Sequence, residues 1–243
     1  MIPTGRRLLT DQDARRVSPR AHGPGAVRLT RTQARATGCS MKIRSAELKD
    51  QAFTPSQIPI LDLPQIAVFG RSNVGKSSLL AAMMGRRKLV RVSSTPGKTR
   101  GIFFYSVNGQ FLLVDLPGYG FYKAPKSEAK KWQSLIEAYL DSPSGPSLAL
   151  HLIDIRHPPT REDLVVSAIL SERGIPVVVV ATKADKLSRA RRIDSVNTIS
   201  KALGISSRRI VPASVKDPAI SVTGIWDAAL PLFSPREEDT PKT

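Results

Sequence analysis

Gly70-Arg71-Ser72-Asn73-Val74-Gly75-Lys76-Ser77 decides how this chain is to be read. Two glycines with four residues between them, followed by Lys and Ser, form the loop pattern that cradles phosphate. At average residue frequencies a chain of this length would contain that string by chance roughly 1% of the time, so coincidence is a poor account of it. Its flanks agree. Ile66 to Phe69 is a short apolar run that predicts a strand, and Ser77 to Met84 predicts a helix. In such a strand–loop–helix unit Gly70 and Gly75 let backbone N–H groups turn toward phosphate oxygens, and the helix N-terminus adds partial positive charge. Lys76 then supplies a point charge to the β and γ phosphates, and the Ser77 hydroxyl is a candidate magnesium ligand. Residues 70 to 78, ending at Ser78, are the expected phosphate site.

Further along, Asp115-Leu116-Pro117-Gly118 begins where the apolar run Phe111 to Val114 ends. A carboxylate there can order the waters of a magnesium ion, and the Gly118 N–H can meet the γ phosphate. Between the two motifs lies Ser93-Ser94-Thr95-Pro96-Gly97-Lys98-Thr99-Arg100, a polar segment suited to a mobile loop. A threonine in it should complete the metal shell. Spacing does not decide between Thr95 and Thr99. Thr182-Lys183-Ala184-Asp185 then separates guanine from adenine. The Asp185 carboxylate can accept from both N1–H and the exocyclic amine of guanine, a donor pair that adenine lacks. Lys183 can lay its stem along the ring, and Thr182 stands where an Asn is more usual, still offering a hydroxyl to the phosphate loop. From Ala213-Ser214-Val215 a backbone N–H is expected at the base oxygen. GTP or GDP with Mg2+ is therefore the expected ligand.

The remaining elements frame this site. Ile102 to Val107 and Phe111 to Val114 flank Asn108-Gly109, a strong hairpin signal. Helices are predicted over 127–140, 161–173, 188–203 and 222–232, and strands over 148–155, 177–181 and 209–212. The outcome is an α/β fold: a mostly parallel six-stranded sheet with one antiparallel edge strand and helices on both faces. Within the 243 residues, 64–233 is the expected nucleotide-binding domain, preceded by a lead-in at 41–63 and followed by a polar tail at 234–243. Residues 1–40 carry eight arginines against two aspartates with no apolar periodicity, and disorder is expected. They are an upstream mistranslated start with Met41 as initiator, a true basic tail, or a transit peptide. Cys39 is the single cysteine, so no internal disulfide or cysteine metal site can form. No apolar run approaches the roughly 20 residues of a membrane-spanning helix. The net charge of +17 suggests a polyanionic partner, nucleic acid or an anionic membrane surface.

These strings resemble the EngB (YihA, YsxC) family of bacterial Ras-like P-loop GTPases, within the translation-factor-like class. The resemblance rests on Gly70 to Leu79, Thr95-Pro96-Gly97-Lys98-Thr99, Asp115-Leu116-Pro117-Gly118-Tyr119-Gly120, Asp154-Ile155-Arg156-His157-Pro158-Pro159 and Thr182 to Asp185, and it runs from about Met41 to Phe233. It implies that Thr99, not Thr95, is the second magnesium ligand beside Ser77. With Thr99 so chosen, Lys76, Thr99, Asp115 and Gly118 are the residues expected to carry hydrolysis. The resemblance also implies a role in assembly of the large ribosomal subunit or its precursor RNA, with effects on cell division and septation; from the residues, a cytoplasmic monomer is expected. A membrane-associated division GTPase and a GTP-binding RNA scaffold with little turnover are the competing readings. The N-terminal extension and Ala213, where the family tends to have Ser, depart from the pattern. Tyr119 occupies the place where many GTPases carry a water-orienting Gln, which implies slow intrinsic turnover. Asn73 is a candidate potassium ligand or simply stabilises its own loop. His157 is read as anchoring its loop, since GTP hydrolysis is mostly positioning and electrostatics.

Overall fold

The computed structural model describes residues 41–85, 101–120, 126–217, 220 and 222–233, the side chains of 126–129 excepted. Its strands are β1 (Ala46–Ala52), β2 (Gln65–Gly70), β3 (Ile102–Val107), β4 (Phe111–Asp115), β5 (Leu148–Asp154), β6 (Val177–Thr182) and β7 (Ile210–Pro212). Its α-helices are α1 (Lys76–Met83), α2 (Lys126–Leu140), α3 (Arg161–Glu172), α4 (Arg189–Leu203) and α5 (Thr223–Ala229). All seven strands join one sheet in the order β1-β3-β4-β2-β5-β6-β7. β2 pairs in parallel with β4 on one side and β5 on the other, and β6 and β7 continue the parallel run. β3 is antiparallel to β4, and β1 is antiparallel to β3.

Every residue of β2 is buried. A central parallel strand is covered on both faces, so Ile66-Ala67-Val68-Phe69 is apolar throughout rather than alternating. Ile66 and Val68 pack with Leu80 and Met83 of α1 and with Ile225 and Trp226 of α5. Ala67 and Phe69 point the other way, to Leu135 and Tyr139 of α2 and Val166 and Leu170 of α3. Ile199 of α4 covers Ile153 and Val179 farther along the sheet. Because the chain leaves β2 between β4 and β5, the crevice above the C-terminal end of β2 is the point where strand order reverses, the usual ligand position in such sheets.

The sheet has one strand more than the six expected, and the strand antiparallel to the rest, β3, lies one place in from the edge. The addition is β1, inside the stretch expected as a lead-in. Its sequence Ala-Glu-Leu-Lys-Asp-Gln-Ala is largely exposed, with Ala52 its buried residue, so it lacks the apolar face by which strands are recognised. It is tied on by the Asn108-Gly109 turn. Both turn residues have left-handed φ, 54° and 67°, in a three-residue connection, 108–110, between the paired Val107 and Phe111, and the Gln110 N–H closes it by donating to the Val107 carbonyl at 3.0 Å. The Asn108 side chain accepts from the Arg44 and Ser45 N–H groups at 2.8 and 3.1 Å and donates to the Lys42 carbonyl at 2.9 Å. Expectations for 1–40, for Thr95, Gly97, Lys98 and Thr99, and for 234–243 lie outside the described residues.

Candidate nucleotide site

Gly75 takes φ of 106°, a conformation that favours glycine, and caps the start of α1. Asn73 is left-handed as well, at 63°. The turn brings Lys76 and Ser77 to the end of β4. Ser77 Oγ donates to Asp115 Oδ2 at 3.3 Å. Asp115 is 2% exposed, and its Oδ1 is buried with no hydrogen-bond partner. Burial disfavours charge on both ionic groups here. It pushes the Lys76 ammonium down, against the pull of Asp115, and raises the Asp115 carboxyl to about 6, against Lys76 and the Ser77 bond. Two charges held at a desolvation cost, one with an idle acceptor, suit a site where ligand charge is met.

Gly118 lies at the centre of this cluster. A Cβ on it would stand 2.9 Å from Lys76 Nζ and 2.9 Å from the Ser72 nitrogen, so this approach excludes any side chain. The backbone on either side is zipped to the phosphate loop: the Ser72 N–H donates to the Tyr119 carbonyl at 3.0 Å, and the Tyr119 N–H to the Gly70 carbonyl at 3.4 Å. Arg71 and Tyr119 thereby form a parallel bridge.

The Thr182-Lys183-Ala184-Asp185 loop is bolted to the same structure. Thr182 Oγ1 shares its one proton between the Val74 carbonyl at 2.9 Å and the Ile153 carbonyl at 3.2 Å. Lys183, itself left-handed at φ 61°, donates through Nζ to the Asn73 carbonyl at 2.9 Å. The same Nζ lies 2.9 Å from Asp154 Oδ2. Asp154 is gripped in turn by Arg156, whose Nε and Nη2 donate at 2.9 and 2.7 Å. Burial acts against the Asp154 charge, yet Arg156 and Lys183 hold its carboxyl well below the usual range. Asp185 accepts from Ser214 Oγ at 2.7 Å, and this bond lowers its pKa. Ser214 Oγ is fixed by the Lys216 and Asp217 N–H groups at 3.0 and 3.1 Å. A carboxylate so oriented can accept from two adjacent N–H donors of a base.

The expectation that residues 213–215 offer an N–H to the base narrows. The Ala213 N–H donates to Ala181 at 2.9 Å as part of the sheet, and the Ser214 N–H to Ile220 at 2.9 Å, so neither is available in this arrangement. Leu116, Pro117 and Ala184 are brought to the site as backbone, with Leu116 and Ala184 buried. Arg71, Ser72 and Ser78 are half-buried along the loop and first helical turn. His157 is exposed and bonds through its N–H to the Asp154 carbonyl.

Some contacts escaped the sequence reading. Asp154 and Arg156 act on Lys183 from a neighbouring strand end. Tyr119, in the place of a water-orienting Gln, is 5% exposed and turned inward. Its Oη donates to Asp163 Oδ1 at 2.6 Å and lies 2.8 Å from His151 Nε2. Two signals were available: His151 sits inside the apolar run Leu148 to Ile153, and Thr160 three residues before Asp163 is a capping-box spacing.

A glycine-bracketed loop bonded through Ser77 to the buried Asp115 carboxylate, with the Thr182–Asp185 loop tied to it at one end of a parallel sheet, is the arrangement of a P-loop nucleotide-binding domain of the GTPase kind. The family model described as "50S ribosome-binding GTPase" matches residues 65–183. The "Probable GTP-binding protein EngB" of Caldanaerobacter subterraneus subsp. tengcongensis is 45% identical over 185 residues, covering 76% of this chain and 93% of that protein. A crystal structure of a probable GTP-binding protein engB superposes with a TM-score of 0.58 at 24% identity, over 69% of this chain and 97% of that one. Era in complex with MgGDPNP and nucleotides 1506–1542 of 16S ribosomal RNA shares the fold, with a TM-score of 0.53 at 24% identity over 73% of this chain and 58% of Era. The chain belongs to the EngB family of GTP-binding proteins, which are P-loop GTPases.

Proposed function

We propose that this chain is a guanine-nucleotide switch with slow hydrolysis that acts in assembly of the large ribosomal subunit, in the cytoplasm, with downstream effects on division and septation. The observation that carries the switch is the shared wiring of its two halves: Thr182 and Lys183 hold the base-reading loop to Val74 and Asn73 of the phosphate loop. Base recognition at Asp185 and phosphate recognition at Lys76 are therefore rigidly spaced. In this reading the loop amides and Lys76 hold the β and γ phosphates, Gly118 meets the γ phosphate, and Asp185 accepts from guanine.

The residues fit a magnesium ion. Asp115 has an unpartnered buried Oδ1, and the nearby groups are hard oxygen donors of the kind that ion prefers. Ser77 and Thr99 would hold it, with Asp115 orienting its waters. When bound, it neutralises charge on the phosphate oxygens. Tyr119 turns away from the site, so no side chain at that position orients water, which supports slow intrinsic turnover.

The ribosomal part rests on the name of the matching family, on the net charge of +17, and on exposed cations at Lys130, Lys131, Lys186, Arg189 and Arg191. Among the described residues no helix is long and apolar enough to cross a membrane. Co-sedimentation with large ribosomal subunits tests the reading. Retention with a non-hydrolysable GTP analogue, weaker with GDP and falling with salt, is expected. Equal retention in both nucleotide states, or none, would overturn it.

A further inference from the structure

The buried phenol of Tyr119 ends in a hydrogen-bond chain whose direction can be worked out. Asp163 Oδ2 accepts from the Thr160 N–H at 2.7 Å and from Thr160 Oγ1 at 2.9 Å, which fixes the carboxylate at the first turn of α3. Its Oδ1 accepts the one proton that Tyr119 Oη can donate. The 2.8 Å contact between Oη and His151 Nε2 must then be a bond donated by the histidine. His151 is thus the Nε2–H tautomer, consistent with its fully buried ring and with an Nδ1 that has no partner. Tyr119 is pinned at once to β5 and α3.

The other side of Gly118 is held separately. Trp132 of α2 donates its indole N–H to the Pro117 carbonyl at 2.9 Å, and its ring stands edge-on to Tyr119 with centroids 6.4 Å apart. Pro117 and Tyr119 are therefore fixed by side chains from three different elements, while the Tyr119 backbone is bonded to Gly70 and Ser72. Gly118 hangs between them, against Lys76 Nζ and Ser72. Nothing in nucleotide recognition itself calls for a buried Tyr–His–Asp chain, and none of its side chains lies among the expected ligand-binding residues.

We infer that Tyr119 and Trp132 are positioning residues that clamp Gly118 at the phosphate loop, so that its N–H is preset for the γ phosphate and the preference for triphosphate over diphosphate depends on the clamp. This deepens the proposed reading and rests on it. A group that meets only the γ phosphate contributes to GTP affinity and nothing to GDP affinity, so releasing the clamp acts on one ligand alone.

The test is equilibrium titration of the full chain, in magnesium, with fluorescent GDP and a non-hydrolysable GTP analogue, for wild type, Tyr119→Phe, Trp132→Phe and Tyr139→Phe. Tyr139 supplies the structural control: it is another fully buried phenol, bonded to Gln65 Oε1 at 3.0 Å on the same face of the sheet. Tyr119→Phe should weaken the GTP analogue fivefold or more while GDP stays within twofold, and Trp132→Phe should move the same way. Tyr139→Phe should lower the melting temperature without changing the ratio. An unchanged analogue-to-GDP ratio in Tyr119→Phe and Trp132→Phe would overturn the inference, as would equal weakening of both nucleotides. If Tyr119→Phe does not fold, Trp132→Phe decides alone. Wild type that binds neither nucleotide would overturn the guanine reading itself, a result distinct from tight binding with an unaltered ratio.

Discussion

Acid should weaken the fold through His151, and the magnitude can be worked from its surroundings. Burial lowers its pKa from 6.5 to about 4, although Asp163 4.0 Å away pulls in the other direction. Between those values the unfolded chain binds a proton that the folded chain refuses, so stability is present above pH 6.5 and is lost as pH falls toward 4. At about 1.4 kcal/mol per pH unit the loss is about 3 kcal/mol. Asp115 works against this. Its pKa is raised from 3.8 to about 6, so its folded form takes the proton first and gains stability on acidification over nearly the same range, again by about 3 kcal/mol. The wild-type profile alone will therefore look deceptively flat. His151→Gln removes the titration while keeping an amide N–H for Tyr119 Oη. Urea unfolding of both proteins from pH 7 to 4 should show wild type losing about 3 kcal/mol relative to the variant, or about 6–12 °C by melting temperature. Parallel profiles would refute a buried, neutral His151.

Two other perturbations address the phosphate loop. Lys76→Ala should abolish measurable GTP binding and leave the circular dichroism spectrum intact; an unfolded variant would mean that the buried ammonium is structural. Potassium should raise the hydrolysis rate over sodium at equal ionic strength, with Asn73→Ala erasing the difference but not GTP binding; equal phosphate release in both salts, with and without ribosomes, would leave Asn73 as a loop-shaping residue alone.

Most of the frame was legible because local and global signals agree. A central strand must be apolar on both faces, and Ile66 to Phe69 and Val177 to Ala181 are; the Asn108-Gly109 turn accepts left-handed φ and announced its hairpin. Helix ends at Lys76–Met83 and Arg161–Glu172 fall within a residue or so of the periodicity. β1 was not legible, since an edge strand bonded on one side and wet on the other needs no apolar stripe. The site was legible wherever function constrains neighbours in the chain, as in Gly70 to Ser77. It was not legible where partners are distant in sequence: the Arg156–Asp154–Lys183 brace, the Ser214–Asp185 bond, and above all the inward turn of Tyr119, whose partners His151 and Asp163 meet it only once β5 and α3 are packed.

The central claim is that Asp185, oriented by Ser214, reads guanine in a pocket wired to the phosphate loop. The most direct test is calorimetric titration of wild type and Asp185→Asn with GDP, GTP and ATP in magnesium. Wild type should bind both guanine nucleotides and not ATP. The variant, which faces the base N–H groups with an amide donor in place of one acceptor, should lose at least tenfold for GDP and GTP alike, as expected for losing a hydrogen bond to a charged group, worth about 1.5–3 kcal/mol. Guanine affinity unchanged in Asp185→Asn, or ATP bound as well as GTP by wild type, would contradict the account.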